Sequence, residues 1–361
     1  LTGPLAVEFH PVRDFAPVAH AWLTLEARGE CSFFQSWAWT GCLVEERFPD
    51  PWLLSARRGD RIVALGLFNR GPRPGLAAGQ KLALGESGDP RRDSIFIEHN
   101  GLLLDCAETP ELAMHCWAAL AATETGRSGW TLSGVRHTEL AVLPADRAVR
   151  ITARRPAPFV DFAALPPGIP FLEAGLSANA RQQLRRALRA WDESGPLTLE
   201  FASTAADADR FLSALKSLHQ SYWTGRGKPG AFAEPFFERF HRTLLGRAGT
   251  GQSVDLIRVC AGSRELGYLY NFTHRGWTVA YQSGFDFCPQ ADRLKPGLVC
   301  HLQAIEHYRQ AGMRLYDFLG GAARYKSSFA NAEIELLWLE ARPRSLWPFR
   351  WPPANHRPVR S

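Results

Sequence analysis

The stretch Met313-Arg314-Leu315-Tyr316-Asp317-Phe318-Leu319-Gly320-Gly321-Ala322-Ala323-Arg324-Tyr325-Lys326 decides the fold. A short apolar run stops at two adjacent glycines. Such a run reads as a strand, and the glycine pair as the tight turn that ends it. The turn delivers Tyr325 and Lys326, side by side, to one end of a sheet. Upstream, residues 296–311 read as a helix opened by Lys295-Pro296-Gly297. Proline suits the first helical turn, where its missing N–H has no intrahelical partner to lose.

Working back, residues 254–261, 266–274 and 277–287 read as a three-stranded meander, with turns at Gly262-Ser263 and Arg275-Gly276. Helices are expected at 176–191, 207–222 and 235–245, and a strand at 197–201. Beyond Lys326 a last strand is expected at 334–341. In the first half, 33–46 reads as an aromatic-rich helix and 52–68 as a hairpin around Arg58-Gly59-Asp60. Residues 94–101 read as a strand, 110–125 as a helix, and 130–135 and 150–153 as strands. Five prolines fall in 154–172, which reads as the linker or crossover between domains. The fold class is therefore α/β with a mixed sheet. The expected domains are 1–165 and 166–345, followed by a basic, proline-rich tail at 346–361.

The composition is that of a globular chain, with 45% hydrophobic and 22% charged residues. No apolar run reaches 18 residues, so no transmembrane helix is expected. No basic-then-apolar leader opens the chain, and a cytoplasmic location is expected. The seven cysteines are scattered and form no Cys-x-x-Cys, which points to reduced thiols rather than a metal site. His301 and His307 lie six apart on one helix, on different faces, and do not suggest metal ligands. No Gly-x-Ser-x-Gly elbow or Gly-x-x-x-x-Gly-Lys-Ser/Thr loop occurs, which argues against hydrolase and ATPase chemistry.

Only five of the 42 basic residues are lysines, so each lysine is the rarer choice. Around Pro296, the free N–H groups and dipole of a helix start favour a phosphate. Arg293 and Lys295 would add charge, and Gly297 and Leu298 would present backbone to it. In the strand before, Gly284 beside Ser283 marks a bulge or a close approach of another segment. Arg181, Arg185 and Arg189 share a helix face, which reads either as a solvated surface or as a phosphate-contacting stripe.

The second half resembles the GNAT acyltransferase superfamily, in particular bacterial acyltransferases of the CelD/BcsL type. The resemblance rests on Ser177-x-x-x-Arg181, His219…Trp223-x-x-Arg226-Gly227, Tyr281-x-x-Gly284-Phe285-Asp286, Lys295-Pro296-Gly297 and Tyr316-Asp317-Phe318…Gly320…Tyr325-Lys326. The chain has Arg293-Leu294-Lys295-Pro296-Gly297 where GNAT domains usually carry a glycine-rich loop for the pyrophosphate of CoA. The pattern Asp317-Phe318-x-Gly320-Gly321…Tyr325-Lys326…Phe329 also resembles the FemABX peptidyltransferases, which use aminoacyl-tRNA and have two GNAT-like domains.

The resemblance implies two GNAT-like domains in tandem and acylation of an amine, with no metal. The donor is acyl-CoA (such as acetyl-CoA) or aminoacyl-tRNA. The acceptor is a small-molecule, saccharide or peptide amine. It implies a cofactor set of Arg293, Lys295, Pro296, Gly297, Leu298, Ser283 and Gly284. The implied substrate set is Trp223, Arg226, Tyr281, Phe285 and Asp286. In such a reaction negative charge develops on the carbonyl oxygen, and a fixed cation there lowers the barrier. Lys326 is the candidate for that role, and Tyr325 for proton donation to the leaving group. His219, Asp317 or Glu306 would accept the amine's proton. Each has a plainer alternative: Tyr325-Lys326 as a surface pair, His219 as a structural histidine, Asp317 as a cap of its own turn. A non-catalytic GNAT-like fold that binds a partner through a cleft between domains is a third reading.

Overall fold

The computed structural model describes residues 3–71, 81–248, 253–287 and 291–344. The basic tail at 346–361 and residues 288–290, Cys288 among them, lie outside the described residues. The chain divides into two compact units, one formed by residues up to 155 together with the segment from 335, the other by 156–334.

The first unit contains β1 (Leu5–Pro11), β2 (Pro51–Arg58), β3 (Arg61–Arg70), β4 (Leu82–Leu84), β5 (Leu103–Leu104) and β6 (Trp130–Arg136). It also holds the first part of β7 (Arg147–Asp161). The hairpin read at 52–68 is β2–β3, closed by Gly59-Asp60 between the paired Arg58 and Arg61. The helices α1 (Phe15–Glu26) and α2 (Glu111–Ala122) pack on this sheet. Trp117 of α2 stacks on Trp130 of β6, ring centroids 5.7 Å apart. Two expectations fail here. Residues 33–46 form a 3-10 turn and two four-residue helices, because Ser36 caps a new helix and Leu43 takes a left-handed φ of 49°. Residues 94–101 form no strand. A 3-10 turn at Arg92–Ile95 is followed by His99 at φ 50°, and only Asn100 bridges to Val135.

The second unit is built on the end of β7, then β8 (Leu197–Phe201), β9 (Val254–Ala261), β10 (Arg264–His274), β11 (Trp277–Phe285) and β12 (Leu315–Asp317). The strand order is β7-β12-β11-β10-β9-β8. Its helices are α3 (Ala178–Asp192), α4 (Ala205–Thr224), α5 (Pro235–Ala248), α6 (Pro296–Gln310) and the short α7 (Arg324–Phe329). No described helix is long and apolar enough to cross a membrane. The last strand, β13 (Ala332–Pro343), starts in this unit and ends in the first one.

The proline-rich residues 154–161 are strand, and the crossover between the units runs through that strand. Prolines lack a donor but keep an acceptor. The carbonyls of Pro158 and Pro156 accept from the amides of Phe318 (3.1 Å) and Gly321 (2.8 Å). The unit boundary consequently falls inside β7, about ten residues before the expected one.

The relationship that positions the site is the parting of β11 and β12. They pair in parallel only from Trp277↔Leu315 to Val279↔Asp317. β11 runs on to Phe285 with β10 on its other side. Residues 280–285 thus have no strand partner on the β12 side among the described residues. A bulge falls at Tyr281, where the β10–β11 register shifts between Tyr270 and Asn271.

Candidate functional site

The Gly320-Gly321 turn is held at several points. Asp317 is buried and its carboxylate accepts the Leu319 amide at 2.6 Å, which fixes Leu319 at a left-handed φ of 60°. The turn feeds α7, which carries Tyr325 and Lys326. The Lys326 ammonium donates to the carbonyls of Leu319 (3.2 Å) and Gly320 (3.0 Å). The strand end therefore holds the cation that follows it. Asp317 acts on the turn itself, as the plainer alternative had it.

Tyr325 stacks face to face on His301 of α6, with centroids 5.3 Å apart and planes 17° apart. Tyr325 as a residue is 37% exposed. Even so, desolvation of its phenol, helped by nearby Tyr222, raises its pKa well above the ordinary tyrosine value. It is protonated at neutral pH and able to donate.

His301 is the residue that spacing alone set aside. It is 2% exposed and walled by the rings of Phe285, Tyr316, Phe318, Tyr325 and Phe329. Its Nδ1 lies 3.0 Å from the Tyr316 hydroxyl, and its buried Nε2 has no hydrogen-bond partner. Burial, and then the charge of Lys326, push its pKa down to about 3. An unsatisfied buried polar atom costs about 1–3 kcal/mol. A histidine among five aromatic rings gives no periodic signal in sequence, since any apolar residue would fit the same pattern.

His219, one of the three candidate proton acceptors, is buried near the end of α4. Both its nitrogens meet backbone: Nδ1 the Ser283 carbonyl at 3.1 Å, and Nε2 the Ala231 amide at 3.2 Å. Burial lowers its pKa to about 4. It clamps β11 to the loop after α4, so taking a proton on Nε2 first requires release of the Ala231 amide. Glu306 is similarly engaged, accepting the Phe171 amide at 2.6 Å.

Gly284 is where another segment comes close, as its place in the strand suggested. A Cβ there would sit 2.4 Å from the Leu215 carbonyl of α4. Ser283 supplies the carbonyl that holds His219. At the start of α6, Pro296 is the first helical residue and Lys295 caps it at φ 44°. The space above Gly297 is filled by protein, since a Cβ would lie 3.0 Å from the Phe285 ring. Leu298 is half-buried, and exposed Arg293 faces Glu193 at 3.7 Å.

Of the five substrate candidates, Tyr281 is core: it is 5% exposed and packs on Phe237, His241 and Phe272. Asp286 pairs with Arg264 at 3.6 Å. Phe285 joins Gly297 to His301. Trp223 carries the Lys228 ammonium 4.9 Å above its ring, and Arg226 lies 3.6 Å over Tyr222. Exposed Phe287 packs on Tyr222 and Phe285, at 4.6 and 6.1 Å. The C-terminal end of α4, the end of β11, α6 and α7 thus converge on one aromatic-walled region with Lys326 beside it. Sequence reading missed Tyr222, Phe287 and His301 as members of it.

The arginine stripe of α3 is largely satisfied internally. Glu173 takes Arg181 at 3.3 Å and Arg185 at 2.6 Å. Among the described residues, no group of three His, Cys, Asp or Glu is placed to hold a metal ion.

Residues 178–327 match the family model described as acetyltransferase (GNAT) domain. No curated protein matches the chain in sequence. Solved structures share the fold at low identity. FemX is 10% identical with a TM-score of 0.58, covering 94% of this chain and 99% of its own. The lysylphosphatidylglycerol synthetase (L-PGS) of Bacillus licheniformis is 12% identical with a TM-score of 0.55, covering 92% and 93%. The C-terminal domain of an Agrobacterium fabrum protein described as a lysylphosphatidylglycerol synthetase is 13% identical with a TM-score of 0.53, covering 91% and 92%. The chain has a mixed α/β architecture with the GNAT fold.

Proposed function

We propose that this chain is an N-acyltransferase that moves an acyl group from a thioester such as acyl-CoA to an amine. The observation that supports it most is the placement of Lys326. Its ammonium is fixed by two carbonyls of the turn that ends β12, beside the parted strands and a protonated Tyr325. The amine nitrogen attacks the carbonyl carbon, and the carbonyl oxygen takes up negative charge near Lys326. The thiolate leaves and takes a proton, for which Tyr325 is the available donor. His219 can accept the amine's proton only by giving up the Ala231 amide. The finer likeness to CelD/BcsL acyltransferases belongs to this reading.

One observation favours a second donor. The start of α6 lacks the glycine-rich loop, and Phe285 occupies the space over Gly297. FemX and the two synthetases share the fold, and an aminoacyl-tRNA donor with a peptide or small amine acceptor fits the same lysine chemistry. Thermal shift with acetyl-CoA and longer acyl-CoAs tests the first reading. No shift with any of them, together with salt-sensitive retardation of aminoacyl-tRNA, would transfer the assignment to the second. If Lys326→Ala leaves all transfer intact, the site is not catalytic and the fold serves binding alone.

A further inference from the structure

A buried hydrogen-bond chain runs between α6 and the sheet to His301. The Tyr308 hydroxyl donates to the Asp255 carboxylate at 2.7 Å. The Asn271 amide nitrogen donates to the Tyr308 oxygen at 3.4 Å. Asn271 also hydrogen-bonds the Tyr316 hydroxyl, and because its buried Oδ1 has no partner the bond is given by its amide N–H. The Tyr316 proton is then left for His301 Nδ1, 3.0 Å away. A carboxylate can only accept, so Asp255 sets the direction of the whole series. A neutral imidazole that accepts at Nδ1 must carry its proton on Nε2.

We propose that His301 is a neutral N–H donor of the reacting centre, its tautomer fixed by Asp255, Tyr308, Asn271 and Tyr316, and that its Nε2–H receives the acyl carbonyl oxygen alongside Lys326. Three features carry this. Nε2 is buried without a partner. The imidazole lies directly against the ring of Tyr325, and Lys326 is the next residue. Lys326 and burial both disfavour the imidazolium, so His301 is unsuited to act as a base and suited to act as a neutral donor. Access requires the Tyr325 ring, which lies at the surface on a six-residue helix after two glycines, to turn aside. No proton is transferred to or from His301 in this role.

The inference rests on the acyl-transfer reading, but its first test does not. In protein labelled with [15N]histidine, the His301 signals are identified by their loss in His301→Gln. The expected result is a neutral ring with the proton on Nε2 from pH 5 to 8, and a mixture of tautomers in Tyr316→Phe. A proton on Nδ1, or an imidazolium at pH 7, overturns the assignment whether or not a donor is known. The second test uses acetyl-CoA and a synthetic aminoacyl-adenosine as probes. His301→Phe, which suits the aromatic box, should fold and lose transfer on the order of 100-fold in kcat. His301→Gln, which keeps an N–H at about the same reach, should recover part of that loss. Full activity in His301→Phe overturns the role. If wild type moves neither acyl group, the acyl-transfer reading fails, and His301's role as a carbonyl donor falls with it while its tautomer stands on the labelling result.

Discussion

The imidazole of His301 and the phenol of Tyr325 lie face to face, 5.3 Å between centroids. One is on α6 and the other on α7, separated in sequence by β12 and the Gly320-Gly321 turn. The stack ties the helix start at Pro296 to the lysine at 326, so the two halves of the candidate site are one packed unit. It also makes separable outcomes for substitutions that would otherwise look alike.

Lys326→Met keeps the length of the side chain and removes its charge. The expected result is loss of transfer by roughly 100- to 1,000-fold in kcat. The chain should still fold, because two hydrogen bonds from a half-buried ammonium contribute only about 1–3 kcal/mol. Comparing single-turnover rates with the thermal midpoint checks both halves. A thermal midpoint that collapses would show Lys326 to be structural.

Gly284→Ala should destabilise through overpacking, by about 1–3 kcal/mol. The added Cβ would meet the Leu215 carbonyl at 2.4 Å, and backbone cannot swing away as a side chain can. The same shift should loosen the Ser283 carbonyl from His219. Urea unfolding reads the first effect, and the histidine NMR signals read the second. An unchanged midpoint would contradict the close packing of α4 on β11.

His219→Gln should lower stability modestly, since one backbone hydrogen bond of the clamp is lost. It should leave the pH dependence of any transfer unchanged. A pH–rate limb that vanishes in this variant would instead identify His219 as the proton acceptor.

Stability should fall as pH drops below about 6.5. Burial holds His219 near 4 and His241 and His301 near 3, whereas each titrates at about 6.5 when unfolded. Between those values the unfolded chain binds protons that the folded chain refuses, so acid favours unfolding. Each such histidine contributes up to about 1.4 kcal/mol per pH unit. Denaturant midpoints from pH 7 to 4 measure the slope, and His241→Phe should reduce it. A flat profile would mean these rings are accessible to protons in the folded state.

Much of the architecture was legible because it is local. The β2–β3 hairpin, the three-strand meander and the Pro296 start of α6 follow from turn residues, helix-start chemistry and periodicity that neighbours along the chain supply. The strand-turn-lysine order at 313–326 was readable for the same reason. Where local rules misled, a distant partner decided. Pro156 and Pro158 belong to a strand because β12 and its turn need their carbonyls. Residues 94–101 are no strand: His99 turns left-handed and its carbonyl accepts from the Ser32 hydroxyl, far back in the chain.

The sequence by itself determined the fold class, the strand that ends at Gly320-Gly321, and a lysine delivered by it. Only the tertiary structure decided what surrounds that lysine. It committed His219 to two backbone groups, buried Tyr281 in the core, filled the space over Gly297 with Phe285, and gathered five rings around His301. Those outcomes depend on which side chains meet across elements far apart in the chain, and desolvation and partner choice there are set by packing that no local pattern encodes.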